Sequence, residues 1–246
     1  MARTIYGSDA LPLDLLAIAA HPDDVEQTCG GTLLRAAEQG YRVGVLDLTA
    51  GEMGSRGTPD VRLREAAVAA ELLMLAWRGN LGLPDARVEA SWEAKCALAA
   101  VIRRLRPEVV ILPYWEARHP DHYRASELGF EGCFLAGLRR LELGAEACRP
   151  STVIYSASYA YIRPSFVVDI TQQFERRMQA LLAYRSQYAD QPEASELFPT
   201  EEELRRRLEA VARFYGQMIG VEYGEPFVIK EVMRVDDVMK LGVPTF

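Results

Sequence analysis

The stretch Leu13-Asp14-Leu15-Leu16-Ala17-Ile18-Ala19-Ala20 is a nearly uninterrupted apolar run, and it leads directly into His21-Pro22-Asp23-Asp24. Such a run predicts a buried strand that delivers a histidine and two carboxylates at its C-terminal end. A second apolar run, Val109-Val110-Ile111-Leu112, is followed by Arg118-His119-Pro120-Asp121-His122. Open parallel sheets place their ligand sites at the C-terminal ends of strands. The two runs therefore predict a parallel sheet with one site at that edge.

Strand and helix signals alternate along the chain and predict a single domain over residues 1–246. The expected fold class is α/β, a Rossmann-like sandwich with a mainly parallel sheet flanked by helices. Gly30 and Gly31 predict a tight turn. Residues 50–60 are rich in glycine and predict a functional loop. Residues 216–246 predict a tail that folds over the site or forms a subunit contact. The predicted strands are 13–20, 41–48, 109–112, 152–158 and 166–170, and the predicted helices are 32–39, 61–76, 92–106, 122–138, 172–184 (capped by residue 171) and 201–215.

All three histidines of the chain, His21, His119 and His122, fall within the two His-Pro-Asp segments. A catalytic zinc site usually takes three protein ligands from histidines and carboxylates and leaves a position for water. His21, Asp24 and His122 supply such a set. With Asp24 on the metal, Asp23 is free to accept a proton from the bound water. His119 lies three residues before His122, so on a helical turn both would share a face.

Simpler interpretations exist for each part of this pattern. A single His-Pro-Asp is commonly a turn, and an isolated Asp-Asp is usually solvated surface. The use of every histidine favours a metal site instead. A non-catalytic metal-binding protein would not require Asp23 and His119. A dinucleotide or phosphate-loop enzyme is disfavoured because the chain contains neither Gly-x-Gly-x-x-Gly nor Gly-x-x-x-x-Gly-Lys-Ser/Thr.

Composition narrows the classes of partner. The 28 Lys and Arg against 35 Asp and Glu give a net charge of -7, which argues against a nucleic-acid surface or a polybasic membrane anchor. No run approaches the roughly 18 apolar residues of a membrane span, and no convincing signal peptide precedes the first strand. The four cysteines lack Cys-x-x-Cys spacing, so reduced thiols in a cytoplasmic protein are expected.

Several segments together resemble the LmbE-like (PIG-L-like) N-acetylglucosaminyl deacetylases. They include the two His-Pro-Asp motifs, Thr49-Ala50-Gly51-Glu52-Met53-Gly54-Ser55-Arg56-Gly57 and Leu81-Gly82-Leu83-Pro84-Asp85. Tyr184-Arg185-Ser186-Gln187 and the segment 219–227 are similar to the subgroup that removes acetate from N-acetylglucosaminyl malate in bacillithiol biosynthesis. Many relatives carry a histidine where this chain has Tyr184, so no chemistry is assigned to that residue.

The resemblance implies zinc bound by His21, Asp24 and His122, with Asp23 as the general base and His119 assisting the departing amine. Two histidines and one carboxylate also suit ferrous iron. The implied substrate is an amino-sugar conjugate, and the implied assembly is a homo-oligomer, since relatives commonly form hexamers. We consider Arg56, Arg118 and Asp85 as residues that contact the substrate. Each of them could instead be an ordinary loop or turn residue. Arg56 and Arg118 suit an anionic aglycone such as malate, and Asp85 suits the sugar hydroxyls.

A further carboxylate follows the first motif. Glu26 is interpreted as orienting a ligand histidine or as capping the next turn.

Overall fold

Eight strands in the described part of the chain form one sheet. The structure is a computed structural model that describes residues 2–8, 12–157, 162–189, 199–240 and 242–243. The order of the strands across the sheet is β1-β4-β3-β2-β5-β6-β8-β7. In chain order they are β1 (Arg3–Gly7), β2 (Leu15–Ala19), β3 (Val43–Asp47), β4 (Trp77–Asn80), β5 (Val109–Pro113), β6 (Thr152–Ser156), β7 (Phe166–Asp169) and β8 (Gly224–Val228).

The centre of this sheet is parallel. Strands β4, β3, β2, β5 and β6 run in one direction, whereas β1 and β8 run antiparallel to their neighbours. The predicted mainly parallel α/β sheet is thus confirmed. The chain goes from β2 to β3 on one side and returns to β5 on the other, so β2 and β5 are neighbours at the switch point. An α/β sheet opens a crevice at such a point, beyond the carboxyl ends of the two strands.

Helices cover both faces of the sheet. Several begin at an N-cap side chain that accepts a backbone N–H, as Thr58, Ser91 and His119 do. Thr200 and Glu203 form a reciprocal capping box. The helices are α1 (Asp24–Thr28), α2 (Gly30–Glu38), α3 (Pro59–Leu72), α4 (Trp92–Leu105), α5 (Pro120–Ala136), α6 (Phe174–Leu182), α7 (Arg185–Tyr188) and α8 (Glu201–Gln217), with a 3-10 turn at Val238–Lys240.

The two sides of β2 enter different cores. Leu16 and Ile18 pack into the cluster that includes residues of α4 and α5, whereas Ala17 and Ala19 join the cluster that includes residues of α2 and α3. This division follows from the alternation of side chains along a strand. The first face carries the larger side chains, and all four residues are buried.

The boundaries differ from the sequence prediction at informative places. Gly30 and Gly31 start α2 instead of forming a turn, because the helix packs so closely that a Cβ on Gly31 would lie 2.9 Å from Ile170. The N-cap of α6 is Gln173, not Thr171. The sequence prediction missed β1, β4 and β8; β4 carries polar residues and β8 contains a glycine and a proline, which weaken a strand pattern. Residue 158, the predicted end of β6, lies outside the described residues.

The chain after β8 runs over the surface. Val232 is 96% exposed and Met239 is 88% exposed, so these apolar side chains do not enter the core. The described part of this tail does not line the cavity at the ends of β2 and β5. Of the two predicted roles for the tail, a subunit contact is the one that fits its exposed apolar residues, and it stays a prediction.

Candidate active site

The two histidine segments converge at the switch point. His21 follows β2, and His119 caps α5, which follows β5. The ring centroids of His21 and His119 are 4.8 Å apart, and those of His21 and His122 are 5.4 Å apart. Neighbouring parallel strands thus bring together side chains that are distant in sequence.

Asp24 lies between two of the imidazoles. One carboxylate oxygen is 3.4 Å from Nδ1 of His21, and the other is 3.2 Å from Nε2 of His122. Burial alone would raise the pKa of Asp24, but the charge of His122 and hydrogen bonds from both histidines hold it well below its usual range. Burial opposes protonation of His21, yet contacts with Asp24 and Asp85 raise its pKa to about 11.

This arrangement is an anionic carboxylate with an imidazole on either side. The two ring nitrogens and the carboxylate oxygens that converge here are donor types that Zn²⁺ accepts from proteins. The residues therefore fit a divalent cation held by His21, Asp24 and His122. Among the described residues, the groups whose ligand atoms all lie within 4.8 Å of one another are instead His21-His119-His122 and His21-Asp85-Asp121, so the predicted set with Asp24 stays a prediction.

The carboxylate of Asp23 is held in a different environment from that of Asp24. Asp23 adopts φ 98° and ψ -20°, a left-handed conformation that is strained for a residue other than glycine. Tyr188 donates a short hydrogen bond to this carboxylate, and Nη2 of Arg62 lies 3.4 Å from its other oxygen. Burial, partly offset by Arg62, raises the pKa of Asp23 to about 7. A carboxylate with such a pKa can accept a proton near neutral pH.

His119 is the most exposed of the three histidines. Its Nδ1 accepts a hydrogen bond from the backbone N–H of Asp121 at 3.2 Å. In the neutral ring the proton therefore resides on Nε2, which makes that nitrogen a donor. Burial and the charges of His21 and His122 lower its pKa.

Asp85 and Asp121 hold the opposite edge of the His21 ring. Their carboxylates are 3.0 Å and 3.3 Å from Nε2 of His21. Asp85 also accepts hydrogen bonds from the backbone N–H groups of Met53 and Ala86. Both oxygens of Asp85 thus have partners within the protein, and its predicted contact with sugar hydroxyls stays a prediction. Carboxylates placed behind a ligand histidine fix its tautomer and orientation.

Sequence reasoning missed the role of Asp121. The signal was present, because Asp121 stands between His119 and His122 in the second motif. What the sequence lacked was the distance to His21, which only the packing of β2 beside β5 supplies.

The two predicted substrate arginines lie in different places. Arg118 is exposed and lines the cavity at the site together with His119 and His122. Arg56 instead donates to the backbone carbonyl of Gln187 at 2.7 Å, and Gln187 returns a hydrogen bond to the carbonyl of Arg56. Arg56 therefore ties the glycine-rich loop to α7, and its predicted contact with the substrate stays a prediction.

A fully buried charged cluster lies behind α1. Arg78 makes two hydrogen bonds of 2.9 Å to Asp47 and one of 2.5 Å to Glu26. The hydroxyl of Tyr184 lies 3.4 Å from the same oxygen of Glu26. The sequence suggested that Glu26 orients a histidine or caps a turn. The carboxylate instead binds Arg78. It anchors the helix that carries Asp24.

The fold and the site together define a class: an α/β enzyme with a His-Asp cluster at the switch point of a mainly parallel sheet. Residues 16–132 match the family model PIG-L, described as GlcNAc-PI de-N-acetylase. The chain is 31% identical to diacetylchitobiose deacetylase of Thermococcus kodakarensis over 224 residues, which cover 86% of this chain and 80% of that protein. It belongs to the PIG-L (LmbE-like) deacetylase family.

Two further comparisons bear on fold and function. The crystal structure of the conserved protein TT1542 from Thermus thermophilus superposes with a TM-score of 0.82 at 43% identity, covering 91% of this chain and 98% of that one. The 4-oxalmesaconate hydratase of Pseudomonas putida is 28% identical over 68% of this chain and 70% of its own length.

Among the described residues, no helix has the length and apolar character needed to cross a membrane.

Proposed function

We propose that this enzyme is a divalent-metal-dependent N-deacetylase of an N-acetylglucosaminyl conjugate. The observation that carries the proposal is the position of Asp24 between His21 and His122, with the neighbouring carboxylate of Asp23 held apart from it. A carboxylate that only formed ion pairs would not require a second, strained carboxylate with a raised pKa next to it. A metal-assisted hydrolase uses both, one as a ligand and the other as a base.

The ligand set in this proposal is His21, Asp24 and His122. A metal ion there would lower the pKa of a bound water to about 7 and polarise the acetamide carbonyl. We favour this set over the group His21-Asp85-Asp121, because its two carboxylates contact Nε2 of His21 and also accept backbone N–H groups. Zinc is the proposed ion, and ferrous iron suits the same donors.

The residues around the ligands supply the proton transfers. Asp23 accepts a proton from the attacking water, a step typically worth about 10² to 10⁴ in rate. His119, through Nε2, donates a hydrogen bond to the oxygen that gains negative charge as the carbonyl carbon becomes tetrahedral. The bond between that carbon and nitrogen then breaks, and the proton passes to the leaving amine from Asp23 or His119. The products are acetate and the free amino sugar.

The proposed substrate is N-acetylglucosaminyl malate. Arg118 supports this proposal because it is exposed at the cavity and can bind a carboxylate with two parallel hydrogen bonds. The segments 184–187 and 219–227 support it by their similarity to the bacillithiol subgroup. Another N-acetylglucosamine derivative, such as a chitin fragment, is the alternative, since a relative is named as a diacetylchitobiose deacetylase.

Hydration of an unsaturated tricarboxylate is a second candidate, favoured only by the similarity to 4-oxalmesaconate hydratase. The matching family model is described as a de-N-acetylase, and the relative that aligns with 86% of this chain is named as a deacetylase. We therefore rank amide hydrolysis first.

One substrate panel tests these proposals. Purified protein of measured metal content is incubated with N-acetylglucosaminyl malate, diacetylchitobiose and 4-oxalmesaconate, and acetate release and double-bond absorbance are followed. We expect acetate release that is fastest from the malate conjugate and depends on bound metal. Loss of double-bond absorbance without acetate release would refute the deacetylase proposal in favour of a hydratase. Faster release from diacetylchitobiose would refute only the malate substrate.

We also propose a homo-oligomer, supported by the exposed apolar side chains of the C-terminal tail. Analytical ultracentrifugation of the full chain tests this proposal. A single species at the mass of one chain, 27.5 kDa, would refute it.

A further inference from the structure

A tyrosine at the end of α7 lies next to the proposed general base. Tyr188, the last residue of that short helix, donates a hydrogen bond to Oδ2 of Asp23. The aromatic ring is half-buried and packs against two apolar clusters, one on the second face of the sheet and one that includes residues of α6 and α8. Packing therefore fixes the ring, and the ring fixes the position of the hydroxyl.

A second side chain determines where the hydroxyl hydrogen points. Nε2 of Gln27 donates a hydrogen bond of 3.1 Å to the hydroxyl oxygen of Tyr188. A tyrosine hydroxyl has one hydrogen to donate and accepts through its oxygen. With the Gln27 amide donating to that oxygen, the hydroxyl hydrogen is directed to the carboxylate of Asp23. The three side chains thus form a chain of hydrogen bonds that ends at the proposed base.

The helix that carries Tyr188 is held from two sides. The backbone N–H and the hydroxyl of Ser186 donate to the carboxylate of Glu65 in α3, at 2.7 Å and 2.6 Å. Gln187 and Arg56 exchange hydrogen bonds of 2.8 Å and 2.7 Å between their side chains and backbone carbonyls. A helix as short as α7 is not stable by itself. These contacts with α3 and with the glycine-rich loop therefore keep Tyr188 in place.

Arg62, the other group next to the Asp23 carboxylate, has a different role. Its Nη2 donates to the backbone carbonyl of Pro22 at 2.7 Å but lies 3.4 Å from Oδ1 of Asp23. Hydrogen bonds from N–H to oxygen are usually about 2.7–3.2 Å long. Arg62 therefore supports the backbone of the motif and supplies positive charge, whereas Tyr188 makes the closer contact with the carboxylate. Because a carboxylate is planar, holding Oδ2 also sets the direction of Oδ1.

We propose that Tyr188 is a positioning residue, whose hydroxyl, directed by Gln27, holds the Asp23 carboxylate in the orientation that accepts the proton of the attacking water. This inference rests on the proposed deacetylase function. Asp23 has φ 98°, a backbone conformation that a residue other than glycine keeps only where its surroundings enforce it. Loss of the hydroxyl would let the carboxylate turn, and a displacement of about 1 Å can cost on the order of 10²-fold in rate.

Removal of the hydroxyl alone tests the proposal. Tyr188→Phe keeps the packed ring, and it should lower kcat by about 10- to 100-fold and leave KM unchanged. The substrate is whichever of N-acetylglucosaminyl malate and diacetylchitobiose the metal-loaded wild-type enzyme deacetylates faster. Tyr41→Phe removes a hydroxyl from a tyrosine that is 56% exposed, and as the matched control it should leave kcat unchanged. A kcat for Tyr188→Phe equal to that of the wild type, or a change in KM alone, would overturn the proposal.

Two further measurements separate positioning from a general structural role. In the Asp23→Asn background, Tyr188→Phe should cause no further loss of kcat, because the hydroxyl acts only through the carboxylate. Metal affinity, measured by competition with a chelator, should be the same in Tyr188→Phe and in the wild type, since Asp23 is outside the proposed ligand set. An equal loss of kcat in both backgrounds, or weaker metal binding, would show that Tyr188 acts elsewhere and would overturn the proposal.

A variant of α3 tests the role of α7 in holding the base. Glu65→Ala removes the carboxylate that accepts both hydrogen bonds from Ser186, so it frees α7 from α3 without changing Tyr188. It should lower kcat with KM unchanged, and it replaces Tyr188→Phe if that variant does not fold. An unchanged kcat would overturn the part of the inference that depends on the position of α7.

A readout without substrate keeps this inference separate from the proposed function. Unfolding midpoints in urea are measured for the wild type, Tyr188→Phe, Asp23→Asn and the double variant. The effects should be non-additive, since the hydroxyl and the carboxylate are partners in one hydrogen bond. Additive effects would overturn the inference even if the enzyme is an active deacetylase. Non-additive effects in a protein that releases acetate from neither substrate would support the contact and refute the deacetylase function.

Discussion

Replacing Arg78 with methionine is expected to destabilise the fold more than most single substitutions. The guanidinium is fully buried and contacts two buried carboxylates, those of Asp47 in β3 and Glu26 in α1. The second oxygen of Glu26 is buried without a hydrogen-bond partner among the described residues. Without Arg78, two negative charges would be buried together with no cation to offset them.

The magnitude follows from that geometry. Removing one partner of a buried ion pair costs about 3–5 kcal/mol, because the remaining charge is left uncompensated. The free energy of unfolding of a typical domain is about 5–15 kcal/mol. With a slope in urea of about 3 kcal/mol per molar, the unfolding midpoint of Arg78→Met should fall by about 1–1.7 M.

The assay is urea denaturation followed by circular dichroism, with two comparison variants. Arg124→Met removes an exposed ion pair with Glu127 and should leave the midpoint unchanged. Combining Arg78→Met with Asp47→Asn and Glu26→Gln removes the charges together and should recover much of the loss. A midpoint shift for Arg78→Met no larger than that for Arg124→Met would refute the argument that this cluster stabilises the fold through its charges.

The remaining predictions concern the proposed metal site. Asp24→Ala should abolish metal binding, whereas Asp23→Asn should keep the metal and lose about 10²- to 10⁴-fold in kcat; metal analysis beside kinetics checks both, and full turnover by Asp23→Asn would refute the general-base role. Asp85→Asn should weaken metal affinity about 10- to 100-fold by loosening His21, measured by competition with a chelator, and an unchanged affinity would contradict the orienting role. Complete removal of the metal should lower the melting temperature by about 5–11 °C relative to protein in metal at 100 times its Kd, and an unchanged melting temperature would argue against a site in the folded protein. Arg118→Ala should reduce kcat/KM for the malate conjugate more than for N-acetylglucosamine itself, and equal losses would remove the proposed carboxylate contact.

The sequence predicted the principal features of the fold because its central strands are short apolar runs bounded by clear turn signals. It failed at β4 and β8, where Arg78, Asn80, Gly224 and Pro226 interrupt the apolar pattern. Tertiary context decides such strands, since a buried arginine is acceptable only where carboxylates on neighbouring elements neutralise it. The single domain, the cytoplasmic location and the oligomer stay predictions.

Local sequence did not identify partners that are distant in the chain. It offered Asp85 and Arg56 as substrate contacts, which stay predictions, but not the contact of Asp85 with the ring of His21 or that of Arg56 with the backbone of Gln187. Such choices depend on which groups lie within about 3 Å, a property of packing that residue type does not encode.

What the sequence by itself determined is the chemistry available to this protein. Its histidines occur only in two His-Pro-Asp segments, and each segment follows an apolar run that forms a strand of the parallel sheet. What only the tertiary structure decided is how that chemistry is divided: Asp24 toward His21 and His122, Asp23 toward Tyr188, and Asp85 and Asp121 behind His21. The physical reason is that Asp23 and Asp24 have the same side chain, so residue type alone cannot assign them different roles. The backbone dihedrals of Asp23 and the pairing of β2 with β5 give each carboxylate a different set of neighbours.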